Sequence, residues 1–359
     1  MGRHQAWRRG CRRCSKPLSP PRRSARKTGF CGRNSEVRPR SPETFPGRGP
    51  NKLCVTRRKF GKTGLEVSPL GFGGAPIGLL DTEQDTAERI VRTLIDRGVN
   101  LFDTAESYAG SEEMLGRALE GRRDEVVLVS KCGWDIPELP GEAWSPELIA
   151  ATVDRSLARL NTDRLDAMLL HSCEQEVLER GEAMAALVKA KEAGKVRFVG
   201  YSGDNAKGLY GAELDDVEVF ETSVSFLDQA NLEAVIPAAQ ARGLGTIAKR
   251  PLANGAWKPR KAQEGFFKDY ADAYHKRFEA MGLALEDFDV EDWAELALRF
   301  TLSAPGVHTA ITGMTSPEEA EANLVAAEKG PLPPKAMERL RAAFDREQKR
   351  SEDGWPGLE

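Results

Sequence analysis

The chain has 359 residues, with 52 Lys and Arg against 55 Asp and Glu and a formal net charge of −3 at pH 7. That length is too great for one small domain but suits a single large α/β barrel. Residues 1–54 hold 15 basic and 2 acidic side chains, so the body from residue 55 is acidic; this gives no support for a nucleic-acid partner. No apolar run approaches the ~20 residues of a membrane-spanning helix, so no membrane partner is expected.

Residues 1–54 are rich in Arg, Pro and Ser and lack a hydrophobic period. Such a segment buries too little apolar area to offset the entropy of ordering. It reads as a basic disordered tail, as a transit-type leader, or as a mis-assigned start. The abrupt onset of patterned sequence at Val55 favours the last. No apolar leader core is present, so secretion is not expected. Four of the six cysteines lie in this segment. Cys11 and Cys14 have the spacing of a zinc knuckle, but no second pair or His pair follows, and basic neighbours would repel a cation; no metal is expected. Cys132 and Cys173 alone lie in the body, so there is no disulfide framework, and a reducing, cytoplasmic compartment fits.

From residue 55 the elements follow in order. "KFGKTGLEVSPLG" predicts a hairpin around Gly61–Gly64 leading into a strand. Strands are then expected near 69–73, 99–103, 125–131, 165–171, 196–202, 217–222, 244–249 and 308–312, with helices between them. The first long helix should start at an Asp81/Thr82 cap and end on Gly98. Pro146 after Ser145 marks another helix start. A polar insertion spans about 253–290, and "PPKAMERLRAAFDREQKR" is a closing helix. Eight strands in βα alternation predict a closed (β/α)8 barrel over residues 55–350, with an N-terminal hairpin and a C-terminal helix. A doubly wound open sheet is the runner-up. Its dinucleotide fingerprint fails, because Pro76 occupies the third glycine position after Gly71 and Gly73.

In such a barrel the active site lies at the C-terminal ends of the strands. Those ends carry Asp103, Lys131, His171, Tyr201-Ser202, Glu221-Thr222, Lys249-Arg250 and Thr312-Gly313, and Tyr108 follows Asp103 on the adjoining loop. A phenol can act as a general acid, and a nearby ammonium is expected to lower its pKa from about 10. Lys131 would supply that ammonium, Asp103 would hold it, and a neutral His171 would donate to a carbonyl oxygen. The set suits protonation of an oxygen that gains negative charge. Hydride addition to an aldehyde or ketone makes such an oxygen, and the hydride must come from a nicotinamide.

These segments resemble the aldo-keto reductase family over residues 57–327. "NLFDTAESYAGSEEMLGRAL" resembles the family's Asp…Tyr motif, "VLVSKCG" its lysine strand and "DAMLLHS" its histidine strand. "KVRFVGYSG", "IAKRPLANG" and "AITGMTSPEEAEAN" resemble later segments in the family's order. The resemblance implies a catalytic tetrad of Asp103, Tyr108, Lys131 and His171, with Tyr108 the general acid reducing a small aldehyde or ketone. It also implies a cofactor cleft. Gly73 and Gly74 would lie at the nicotinamide end, Ser202 and Glu221 at the carboxamide, and Pro251 and Leu252 along the pyrophosphate, with Lys249 or Arg250 able to serve the phosphates. Gly313, Thr315, Glu319 and Asn323 would hold the adenosine end.

The chain departs from the family's pattern at several of these positions. Gly203 stands for the usual Asn, Glu221 for Gln, and Lys249 for a stacking aromatic. Glu319 stands where Arg or Gln is usual, and Gly313 and Met314 replace a Lys-Ser pair. A carboxylate there would repel a 2′-phosphate but could accept from a free 2′-hydroxyl. The resemblance therefore implies NADP(H), with NAD(H) as the alternative. Two other functions compete: a cofactor-binding regulatory or redox-sensing barrel, and a lyase or isomerase using Lys131 as a Schiff base. Trp134 and Trp144 are further pocket candidates. His308 reads as structural. The insertion around Phe266, Phe267, Tyr270, Tyr274 and His275 is expected to cover the barrel mouth.

Overall fold

Alternation of strand and helix closes into a cylinder, and the parity of the strand residues decides what lines it. A computed structural model describes residues 56–80, 82–259 and 268–358. The expectations for residues 1–54, for Asp81, and for the side chains of Phe266, Phe267 and Tyr270 lie outside the described residues. A hairpin, β1 (Arg58–Lys59) and β2 (Glu66–Val67), precedes eight parallel strands. These are β3 (Leu70–Gly73), β4 (Leu101–Asp103), β5 (Val127–Cys132), β6 (Leu165–His171), β7 (Val196–Ser202), β8 (Val219–Ser223), β9 (Gly245–Lys249) and β10 (Thr309–Gly313). They pair in chain order, and β10 pairs with β3 to close the barrel. The fold is the (β/α)8 barrel, not the open sheet.

The main helices between and after the strands are α1 (Ala75–Leu79), α2 (Gln84–Asp96), α3 (Ser111–Ala118), α4 (Pro146–Arg159), α5 (Gln175–Arg180) and α6 (Glu182–Glu192). They continue as α7 (Asn205–Glu213), α8 (Val235–Arg242), α9 (Lys268–Met281), α10 (Trp293–Ser303), α11 (Pro317–Glu328) and α12 (Pro334–Gln348). The Ser145-Pro146 start is as expected, with Ser145 Oγ accepting from Leu148 N. The α2 start differs: its N-cap is Glu83, and the helix begins at Gln84. A helix end is the least determined part of a periodic segment.

Three apolar clusters divide the interior. The largest lies between the strands and the helix ring. A second fills the barrel with Leu101, Val127, Val129, Ala167, Leu169, Val219, Ile247 and Ile311. A third joins α9, α10 and α12 with the segment after β8, where Tyr274 is fully buried and donates to Asp228 Oδ2 at 3.0 Å. The described part of the insertion is thus a packed excursion, and Tyr274 is a core residue rather than a pocket wall. Packing continues past residue 350, since Trp355 meets Phe344 edge-on at 5.2 Å.

The hairpin closes the N-terminal end of the barrel. Phe60 is fully buried in the barrel cluster, and a Cβ on Gly245 would lie 2.8 Å from its ring. Lys62 N donates to Gly243 O at 2.8 Å, and Arg58 donates to Val307 O and Leu302 O at 2.9 Å each. His308 lies at this same end, with its Nδ1 accepting from Thr246 N at 3.0 Å, as a structural residue should. Truncating the plug leaves a cavity that the rigid barrel cannot collapse. Phe60→Ala should lower unfolding free energy by about 3–5 kcal/mol, read from urea denaturation.

Candidate active site

Side chains alternate along a strand, so each barrel strand aims every second residue inward. The inward series on β4 is Leu101 then Asp103; on β5 it is Val127, Val129, then Lys131. On β6 it runs Ala167, Leu169, then His171. The same parity brings Ser202, Glu221 and Lys249 inward on β7, β8 and β9. The apolar layers therefore give way at the C-terminal end to one polar layer. Register agrees: Ser202 is opposite both His171 and Glu221.

Lys131 is 1% exposed and donates to Asp103 Oδ1 at 2.5 Å, to Asp103 Oδ2 at 2.6 Å and to Thr104 O at 3.1 Å. Glu221 approaches the same ammonium, with Oε2 at 3.4 Å. Burial opposes the ammonium, but Asp103 and Glu221 together hold Lys131 above its ordinary range. Burial and the Glu221 charge push the Asp103 carboxyl well above the usual range, against the pull of Lys131.

Tyr108 sits beside this cluster, with the Lys131 ammonium 5.5 Å from its ring centroid and the His171 ring edge-on at 5.7 Å. Its pKa is not lowered as expected. Part of the ring remains open to solvent, yet the packed surroundings desolvate the hydroxyl and push it up to about 12. Lys131 and Arg250 pull the other way, and Asp103 and Glu221 oppose them. The sequence reading counted the ammonium and omitted both burial and the second carboxylate.

His171 is neutral, as expected. Burial, then the charges of Lys131, Lys249 and Arg250, hold it well below the usual imidazole range. Its Nδ1 faces Ser107 Oγ at 3.4 Å, and Trp134 Nε1 donates to its backbone oxygen at 2.6 Å. Trp134 is 52% exposed and forms the rim of the mouth. Trp144 instead packs over Gly133, against the main core. Ser107 carried no signal in the sequence, because a loop serine has neither periodicity nor charge.

On the far side, Ser202 Oγ donates to Glu221 Oε1 at 3.2 Å and accepts from Lys249 Nζ at 3.3 Å. Glu221 Oε2 is buried and accepts no hydrogen bond. Lys249 pairs with Asp204 at 3.0 Å. Burial opposes the Asp204 charge, but Lys249, the Ser223 N–H and Arg250 hold this carboxylate below its usual range. Gly203, in place of the family's Asn, has a local cause: a Cβ there would lie 2.4 Å from the Tyr201 ring. Arg250 takes a left-handed backbone with φ 58°, and so does Ser172, after His171, with φ 59°.

The last described residues return to this side of the mouth. Gly357 N donates to Asn205 Oδ1 at 2.6 Å, and Leu358 N donates to Asp228 Oδ2 at 3.0 Å. Leu358 O accepts from Arg250 and from Ser223 Oγ. Arg250 and Lys249, read from sequence as phosphate ligands, thus already engage this strap and Asp204. Pro251 is buried, and Leu252 is half-buried against the cores. Gly73 has only ordinary contacts where a Cβ would stand. Gly74 is sterically required, since its Cβ would lie 2.8 Å from Ser111 Oγ. Gly313 ends β10 against Pro76. Asn323 is buried on α11. Glu319 caps its own helix: Oε2 accepts from Thr315 N at 2.8 Å and from Thr315 Oγ1 at 3.1 Å.

A groove of about 560 Å³ also opens at the hairpin end, beside the ion pair of Asp166 with Arg197. The inward acid, base and phenol are all at the opposite end. Residues 69–345 match the profile of the Aldo/keto reductase family. The chain belongs to that family. An L-galactose dehydrogenase of Arabidopsis thaliana is 30% identical over 295 residues, spanning 76% of this chain and 88% of its own. The aldo-keto reductase YhdN of Bacillus subtilis is 27% identical, spanning 72% of this chain and 85% of its own. The holo form of aldo-keto reductase AKR11C1 from Bacillus halodurans superposes with a TM-score of 0.69 at 28% identity, covering 80% of this chain and 96% of that one.

The chain is therefore an oxidoreductase, and this aldo-keto reductase uses a nicotinamide cofactor in carbonyl chemistry as its family does. The buried groups at the mouth suit that cofactor. Glu221 Oε2 is a buried acceptor without a hydrogen bond, and the cations Lys131 and Lys249 stand on the same wall. Among the described residues no group of three or more His, Cys, Asp and Glu is placed to hold a metal. No described helix is long and apolar enough to cross a membrane. The depression of His171 by cations has a direct check. In an NMR titration its ring should still be neutral at pH 6, below the ordinary midpoint of about 6.5. Lys249→Met removes one of those cations and should raise the midpoint.

Proposed function

We propose that this protein reduces an aldehyde or ketone to an alcohol, with Tyr108 as the proton donor and Asp103, Lys131 and His171 as its partners. The supporting observation is the buried Lys131–Asp103 pair set against the Tyr108 ring and a neutral His171. A bound nicotinamide supplies the hydride. His171, held neutral, donates from its ring N–H to the carbonyl oxygen and orients it. As negative charge builds on that oxygen, Tyr108 gives up its proton. A phenol with a pKa of about 12 is fully protonated at neutral pH, and an alkoxide is a far stronger base than the phenolate left behind. Lys131 stabilises that phenolate, and Asp103 fixes the ammonium in place. The rim formed by Trp134 limits water at the reacting oxygen.

Ser202 and Glu221 are assigned to the carboxamide, and Lys249, Arg250, Pro251 and Leu252 to the pyrophosphate side. Gly73 and Gly74 are assigned to the nicotinamide end, and Gly313, Thr315, Glu319 and Asn323 to the adenosine end. NADP(H) is the first assignment on family grounds. Glu319 supports NAD(H) as the second, since its carboxylate stands at the start of α11, where a phosphate would otherwise be welcome. The relative named for L-galactose makes sugars a substrate class to test beside simple aldehydes and ketones.

Oxidation of NADPH and NADH by the full chain against such a panel tests the reading. Tyr108→Phe should lower kcat/KM for carbonyl reduction by about 10²–10⁴ while the cofactor dissociation constant changes little. Full activity in that variant would overturn the mechanism. Glu319→Arg should favour NADPH over NADH by about tenfold in the ratio of dissociation constants, the effect of roughly 1.4 kcal/mol.

A further inference from the structure

The tetrad lysine has two anionic neighbours. Asp103 holds it through two short hydrogen bonds, and Glu221 stands close by with Oε2 at 3.4 Å from Nζ. Asp103 is 1% and Glu221 2% exposed, so water screens neither. Glu221 Oε1 is fixed by Ser202 Oγ, and Ser202 in turn accepts from Lys249. The carboxylate is therefore held against the ammonium. Glutamine, the family's usual residue here, would keep the bond from Ser202 but bring no charge.

Two carboxylates share one ammonium here, and a phenolate on Tyr108 would add a further negative charge in the same low-dielectric site. Lys131 from β5 and His171 from β6 lie against the Tyr108 ring, and the charges of Asp103 from β4, Glu221 from β8 and Arg250 beyond β9 also act on its hydroxyl. His171 is neutral, and Arg250 is engaged with the Leu358 carbonyl. Glu221 is thus the one negative charge in this group whose removal leaves the Asp103–Lys131 pair intact.

We propose that Glu221 is a positioning residue for proton transfer: as the second carboxylate paired with Lys131, it keeps the Tyr108 hydroxyl protonated and sets the site for carbonyl reduction over alcohol oxidation. Reduction needs the phenol as acid, whereas oxidation needs the phenolate as base. Glu221 therefore extends the reductive plateau to high pH and delays the rise of alcohol oxidation to the same high pH. The inference rests on the proposed role of Tyr108 as proton donor.

The test is the Tyr108 midpoint, read in the full-length protein by NMR of 13Cζ-labelled tyrosine, with Tyr108→Phe assigning the signal. Glu221→Gln should lower that midpoint by about one unit or more, and the rise of alcohol oxidation with pH should move down with it. Glu221→Leu, which also lacks the charge but cannot bond Ser202, should shift the midpoint in the same direction. An unchanged midpoint in both variants overturns the inference. A shift in Glu221→Leu with none in Glu221→Gln overturns it too, since that would report packing rather than charge. The NMR reading needs no turnover. If Tyr108→Phe remains fully active, the proposed function fails, whatever the midpoint does.

Discussion

The contact between Lys131 and Asp103 constrains everything else at the mouth of the barrel. Removing two such charges from water costs roughly several kcal/mol per ion unless the geometry is tight and the remaining donors are satisfied. Both conditions are met here. Two carboxylate oxygens and the Thr104 carbonyl take the ammonium's hydrogens, and the apolar layers beneath exclude water. The pair stays fixed only because β4 and β5 are locked in register, Asp103 opposite Val129. The placement of this pair is in this sense a property of the sheet rather than of the loops.

From that pair a chain of polar groups of alternating sign crosses the mouth: Asp103, Lys131, Glu221, then through Ser202 to Lys249 and Asp204. Each charge is held by opposite neighbours, so no single one is free to reorient. The wall that would face a nicotinamide is therefore already organised before any ligand arrives, which reduces the reorganisation that chemistry would otherwise demand. Backbone strain at Ser172 and Arg250 belongs to the same arrangement: both follow strand ends whose side chains must stay aimed inward.

Much of this was legible in the sequence, for a definite reason. Strand parity is a period of two, and the ionisable residues ending the apolar runs at Asp103, Lys131 and His171 could only join the inward face. Barrel closure followed from the count of strands. What escaped was anything that depends on several segments at once. The Tyr108 hydroxyl was misjudged because desolvation and the facing Glu221 come from elements far apart in the chain. The C-terminal strap was missed because "WPGL" has no periodicity, and its anchors, Asn205, Asp228 and Arg250, become neighbours only in three dimensions. Glu319 was legible only as a cofactor position, whereas its side chain caps α11.

Closure by pairing of β3 with β10 has a consequence for how the protein is made. The strands bearing Asp103, Lys131 and His171 leave the ribosome well before residues 309–313, yet until those last residues emerge, β3 has an unsatisfied edge. Chains grow at roughly 5–20 residues per second, so the half-built sheet spends about 10–50 seconds with that edge open and its ions still wet. That interval is when the growing chain offers another chain an edge to pair with.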